Sequence, residues 1–204
     1  MQKRALETRG RILASAVKLF SKSGYHGTSV DLIAEKSACN KQRIYAYFGG
    51  KAALFEESLR HVFEEVNRSD EVLMNITKDS LPDMTGIILR HYFSVHKAHP
   101  DFWRLISWAN LEDEPFHKCL KDIKEKSYSY LKKLYGEGQS AGIFERKVSF
   151  EVYIFTIMSI SFIYYSNRRT LSHSLDEKLF TAKGAENLIV EAELLLGPCR
   201  QQMQ

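Results

Sequence analysis

TSVDLIAEKSACNKQRIYAYFGGK, residues 28–51, reads as two short helices joined by a tight turn. Thr28 or Ser29 can cap the first helix, because a hydroxyl accepts from the free N–H groups of a first turn. Leu32, Ile33 and Ala34 form its inner face. Asn40 is a second capping residue, and only Lys36, Ser37, Ala38 and Cys39 separate it from the first helix, which is turn length. The second helix is predicted over Lys41 to Phe48, with Ile44 and Phe48 at i and i+4 turned inward. Lys41, Gln42, Arg43, Tyr45 and Tyr47 fall on its other faces. Gly49-Gly50 ends it, since glycine takes the left-handed conformation at a helix C-terminus without steric cost. A compact pair with a polar, basic second member has the outline of a helix-turn-helix, whose second helix enters the DNA major groove.

Charge is placed accordingly. Residues 1–60 carry eleven Lys and Arg against five Asp and Glu, whereas residues 61–204 carry 18 against 20. A cationic amino-terminal third is what phosphate neutralisation requires. Hydrophobic residues make up 44% of the chain and prolines number four. With apolar spacing that is mostly helical, this indicates an all-α protein with a substantial core. The three cysteines, Cys39, Cys119 and Cys199, are widely separated and odd in number, which argues against a disulfide framework and fits a reducing compartment. The start, MQKRALETRGR, has no apolar run behind its charges, so no signal peptide is expected and a cytoplasmic location is.

GYHGTSV (24–30), IAEKSA (33–38) and IYAYFGGKAALF (44–55) together resemble the DNA-binding signature of the tetracycline-repressor (TetR/AcrR) family. The resemblance covers residues 8 to about 60. It implies a helix-turn-helix domain over residues 1–50, a connecting helix over 51–68, and a ligand-binding and dimerisation domain over 69–204. Two residues depart from the pattern: Ala38 replaces the usual turn glycine, and Gln42 replaces a small residue. Ala46 stands where the family often has an aromatic.

Along the chain, residues 4–23 are predicted as the first helix, with Ile12, Leu13, Ala16, Val17 and Phe20 packing on Ile33, Ile44 and Phe48. Arg4, Arg9 and Arg11 lie near its start, within reach of phosphates or a minor groove. The connecting helix has Ala53, Leu54, Leu59, Val62 and Phe63 as its buried side. Residues 69–81 read as helix tail and loop. Pro82 then sits in the first turn of a helix to about Ala98. Asp101 caps the next, and a long amphipathic helix is predicted from Phe116 to about Ser140. Ser149 caps a helix to about Asn167 whose stretch 152–165 has no charged residue. That run is shorter than the roughly 20 apolar residues a bilayer needs, so enclosure by protein is expected rather than a membrane span. The last helix, 182–196, carries Ala185, Leu188, Ile189, Ala192, Leu195 and Leu196 in one stripe. The resemblance implies that the final two helices pair with those of a second copy as a four-helix bundle.

The expected DNA contacts are Thr28, Ser29, Lys41, Gln42, Arg43, Tyr45, Tyr47 and Lys51. Lys41 and Arg43 can bond phosphates or guanine edges, and Gln42 can pair with adenine. Tyr45 and Tyr47 can donate to phosphates. Thr28 and Lys51 resemble the family's backbone contacts at the two edges of the motif. For a small-molecule effector, Tyr92, Trp103, Trp108, Tyr128, Phe155, Met158 and Phe162 supply apolar walls, and His91 and His96 polar handles. His96, His99 and Asp101 have a spacing that touches on metal binding. Without a second ligand cluster they read as surface residues near a helix end, and no metal or cofactor is expected. There is no Gly-rich phosphate loop, HExxH or nucleophile elbow. The function expected is a homodimeric transcriptional regulator on a pseudo-palindromic double-stranded operator, a repressor released by a small molecule, with no membrane partner. An activator of the same fold, or a helical enzyme with an aromatic active site, is the alternative.

Overall fold

A computed structural model of the chain describes residues 2–113, 115–120, 123 and 125–197; Cys199 lies outside them. The helices are α1 (Gln2–Ser23), α2 (Val30–Lys36), α3 (Lys41–Phe48), α4 (Lys51–Ser69) and α5 (Met84–Ala98). They continue as α6 (Pro100–Ala109), α7 (Glu125–Ser140), α8 (Phe150–Ser166), α9 (Arg168–Ser174) and α10 (Ala182–Leu196). Short 3-10 turns lie between some of them, and no strand occurs among the described residues. The chain is all-α, and no described helix is long and apolar enough to cross a membrane.

One compact unit comprises Met1–Asn67 and His99–Ile123. α1 buries Ile12, Leu13, Ala16, Val17 and Phe20, and Ile33, Ile44 and Phe48 are likewise buried, as their spacing predicts. On α4, Leu54, Phe55, Ser58, Leu59 and Val62 are buried. Ala53 is exposed, contrary to expectation, and Phe63 is half-buried against Phe102 at 5.4 Å. Rings from separate segments then close the unit: Phe55 meets Phe20 at 4.9 Å and Phe116 at 4.8 Å, and Tyr25 meets Phe116 at 5.0 Å. Such aromatic pairs add roughly 0.5–1.5 kcal/mol each beyond the area they bury.

Residues 99–123 therefore fold with the amino-terminal unit rather than with the rest of the 69–204 segment. Trp108 donates to the Ser21 carbonyl at 3.3 Å, and the Ser21 hydroxyl donates to Asp101 at 2.7 Å. Asp101 is inside α6, not its cap; Pro100 opens the helix and His99 precedes it. Gly24 ends α1 with φ +70°, and a Cβ there would lie 2.7 Å from the Trp108 ring. Both facts demand glycine.

The second unit comprises Arg68–Ala98 and Lys124–Gln204. Its core holds Met84, Ile88, Leu89 and Tyr92 of α5, Leu131 and Leu134 of α7, and Ile154 and Ile157 of α8. Tyr135 stacks on Tyr153 at 4.5 Å and on Phe144 at 4.9 Å. The long helix expected from Phe116 is divided: Phe116–Leu120 is a 3-10 turn, and α7 begins at Glu125. Phe116 serves the first unit's core and Leu131 the second's, so one continuous stripe cannot satisfy both. Pro82 lies in a 3-10 turn at Lys78–Asp83, ahead of α5 rather than in its first turn. The short α9 has no counterpart among the helices that the spacing predicts. α8 and α10 keep much apolar surface outside: Val152, Phe155, Ile163, Val190, Leu194 and Leu195 are exposed, Leu195 by 85%.

Candidate DNA interface and effector site

The α2–α3 pair is held by a cap at each start. The Ser29 hydroxyl accepts from the Leu32 N–H at 3.1 Å, and the Asn40 side-chain carbonyl accepts from the Arg43 N–H at 3.0 Å. In the turn, Ser37 donates to the Ile33 carbonyl at 2.7 Å, and Cys39 N–H donates to Ala34 at 3.0 Å. Ala38 has φ +50°, the left-handed region that an alanine side chain disfavours. The chain thus adopts the backbone of a turn glycine without having one. Gly49, at φ +80°, ends α3 by donating to the Tyr45 carbonyl at 2.9 Å.

With Ile44 and Phe48 inside, α3 turns Lys41, Gln42, Arg43, Tyr45 and Ala46 to solvent, and Tyr47 is half-buried. Lys41 pairs with Asp31 of α2. The Lys51 ammonium sits 4.3 Å from the Tyr25 ring centroid. Burial lowers the Lys51 pKa, and Glu112 works against that.

Thr28 is a correction. It is 1% exposed, and its hydroxyl donates to the Leu19 carbonyl at 3.2 Å, so its side chain ties the start of α2 to α1 instead of facing DNA. Arg9 is also engaged: its guanidinium meets Glu57 at 2.5 Å and lies 4.9 Å from the Phe48 ring, joining α1 to α3 and α4. Arg4 and Arg11 are exposed.

The effector residues divide among three places. Tyr92, His96, Tyr128, Met158 and Phe162 share one neighbourhood of the second unit. Tyr128 donates to the Met158 sulfur at 2.8 Å, and its phenol interacts with that of Tyr92. The His96 ring stacks on Tyr92 at 6.2 Å and meets Phe162 edge-on at 5.9 Å. Burial raises the Tyr92 phenol well above its ordinary pKa and pushes Tyr128 up to about 12, against an opposing interaction with Tyr92. Both are neutral donors at physiological pH. His91 bonds Asp70 at 2.8 Å beside them. Asp70 is 0% exposed, and sequence reasoning misses it; a lone acid in a polar stretch gives no signal of burial. His96 is buried too, not on the surface.

Trp103 and Trp108 belong to α6 in the first unit. Phe155 is 71% exposed and instead lines a cavity of about 310 Å³ with Ile163, Leu175 and Leu188. Among the described residues no three His, Cys, Asp or Glu side chains converge as a metal site would require.

Comparison with known proteins bears on both units. A family model for bacterial regulatory proteins of the tetR family matches residues 12–58. A second, for the tetracyclin repressor-like C-terminal domain, matches residues 87–190. The chain is 30% identical over 175 residues to the HTH-type transcriptional repressor NicS of Pseudomonas putida, covering 82% of this chain and 80% of that one. The chain belongs to the tetR family.

Another relative is the HTH-type transcriptional repressor SCO4008 of Streptomyces coelicolor, 29% identical over 67% of each chain. Among solved structures, SCO4942 of Streptomyces coelicolor superposes with TM-score 0.68 at 24% identity, over 92% of this chain and 97% of that one. FadR of Bacillus subtilis, solved with stearoyl-CoA, gives 0.64 at 15%, over 88% and 96%. These neighbours share the fold. The family assignment makes this chain a DNA-binding transcriptional regulator of the repressor kind. Its first family match, 12–58, covers α2, α3 and the caps at their starts.

Proposed function

We propose that this tetR-family chain acts as a homodimer on a pseudo-palindromic operator and is released from it by a small-molecule effector. The exposed amino-terminal end of α3, where Asn40 fixes the backbone of Arg43, carries the proposal. Inserted in the major groove, Gln42 and Arg43 read base edges, while Lys41, Tyr45, Tyr47 and Lys51 hold the backbone. Ser29 serves as a cap at the edge of the interface. Two heads engage half-sites about one helical turn apart.

The second copy covers the apolar residues that α8 and α10 leave in solvent, since exposed contiguous apolar surface marks an interaction site. The Tyr92–Tyr128 cluster, with His96, Met158 and Phe162, supports an effector site of apolar walls and neutral donors, and His91–Asp70 adds a polar edge. An effector shifts DNA affinity only by as much as it prefers the conformer that cannot bind. The chain works in the cytoplasm and turns over no substrate.

Gel shift of genomic fragments against a random duplex, with and without Arg43→Ala, tests the interface. Loss of the sequence-specific shift in the variant, with dimer mass retained, supports it. A shift indifferent to Arg43 removes it.

A further inference from the structure

We infer that a cavity of the second unit, between α5, the end of α8 and the start of α10, is a binding site for a small organic anion with a flat apolar body. The cavity measures about 430 Å³, within the range of small-molecule sites. Its residues are not those of the Tyr92–Tyr128 cluster. Phe93 and Lys97 of α5 line it, and each comes one position after a residue of that cluster, Tyr92 and His96.

Its walls are aromatic. Phe93 meets Tyr164 at 5.2 Å and Tyr165 at 6.0 Å, and Ala185 and Ile189 of α10 extend the apolar surface.

Its rim is cationic. Arg90, Lys97 and Arg168 line it with one acid, Glu186. Arg90 is neutralised from behind by Glu193 at 3.2 Å. Arg168 spends one N–H on the Phe180 carbonyl at 2.6 Å, which orients its guanidinium and leaves other donors of the fork. Lys97 has no ion pair among the described residues. α10 starts at the same place, with Thr181 and Ala182 in the lining and no acid in its first turn, so the positive end of a 15-residue helix adds to the field. A carboxylate at this end with an aromatic body against Phe93 satisfies both halves of the site. Direct binding measures this site independently of any DNA contact.

The test is calorimetric titration of the full chain with 2-naphthoate and with its neutral isostere 2-naphthamide. We expect saturable binding of one naphthoate per chain, about tenfold tighter than the amide, as one charge-assisted contact supplies. Lys97→Glu, an exposed change, should weaken naphthoate about tenfold or more and leave the amide unmoved. Ala185→Trp should fill the cavity and abolish both, and Leu175→Ala, in the other cavity, should change neither. Equal affinity for the two probes, naphthoate binding untouched by Lys97→Glu, or no saturation at millimolar probe would each overturn the inference. Should Ala185→Trp fail to fold, Lys97→Glu and the amide still decide it.

Discussion

Ala38 provides a sharp test of the helix-turn-helix geometry. Its φ of +50° places a Cβ in the left-handed region, at a cost of roughly 1–2 kcal/mol for an L-residue. Its N–H still donates to the Glu35 carbonyl at 3.1 Å, so the turn holds the conformation against that cost. Ala38→Gly removes the penalty and adds about 0.4–1 kcal/mol of unfolded-state entropy. The balance is a gain of about 0.5–1 kcal/mol, or about 1–4 °C in melting temperature for a chain of this size. Ala46→Gly is the control. It is the same chemical change at an exposed position inside α3, where glycine costs about 1 kcal/mol. Urea titrations followed by far-ultraviolet circular dichroism should move the two midpoints in opposite directions at constant slope. If Ala38→Gly lowers stability as Ala46→Gly does, the left-handed turn is not present in solution.

Arg43→Ala should weaken operator binding about tenfold to a hundredfold, the value of a bidentate base contact, with the melting profile kept. Phe155→Glu, at a side chain 71% exposed, should convert the dimer to monomer in sedimentation equilibrium, and an unchanged dimer mass would place the interface elsewhere. The buried phenols set an alkaline limit. Tyr92 and Tyr128 have folded pKa values above the ordinary value near 10, so their contribution is complete below about pH 10 and is lost as pH rises beyond it, for Tyr128 toward about 12. Unfolding free energy measured at rising pH should fall in that window, less steeply in Tyr128→Phe; equal slopes would contradict the burial of that hydroxyl.

What is legible in the sequence is what local chemistry decides. Ser29 and Asn40 mark helix starts, Gly49 marks an end, and the i, i+4 pair Ile44 and Phe48 marks a face; each acts within a few residues of itself. The exposed residues of α3 are readable for that reason. Thr28 and Ser29 have similar hydroxyls, and only the approach of α1 decides which is buried. The effector residues divide because periodicity shows that a side chain points inward but not into which core. Trp108 is drawn to the gap over Gly24, far away in sequence, while Phe155 takes the solvent side of a helix apolar all round. Arg90 and Lys97 share a face of α5 by their i, i+7 spacing, but the burial of Asp70 and the arrival of Arg168 beside that face arise from three-dimensional convergence.

Selection of bound duplexes from a random pool by the purified protein, read by sequencing, bears most directly on the central proposal. The expected outcome is enrichment of one inverted repeat with half-sites about a helical turn apart, two chains bound per duplex, and enrichment lost in Arg43→Ala. A pool that stays random through every round, or an enriched site without two-fold symmetry that Arg43→Ala binds equally, would contradict a dimer reading DNA through α3.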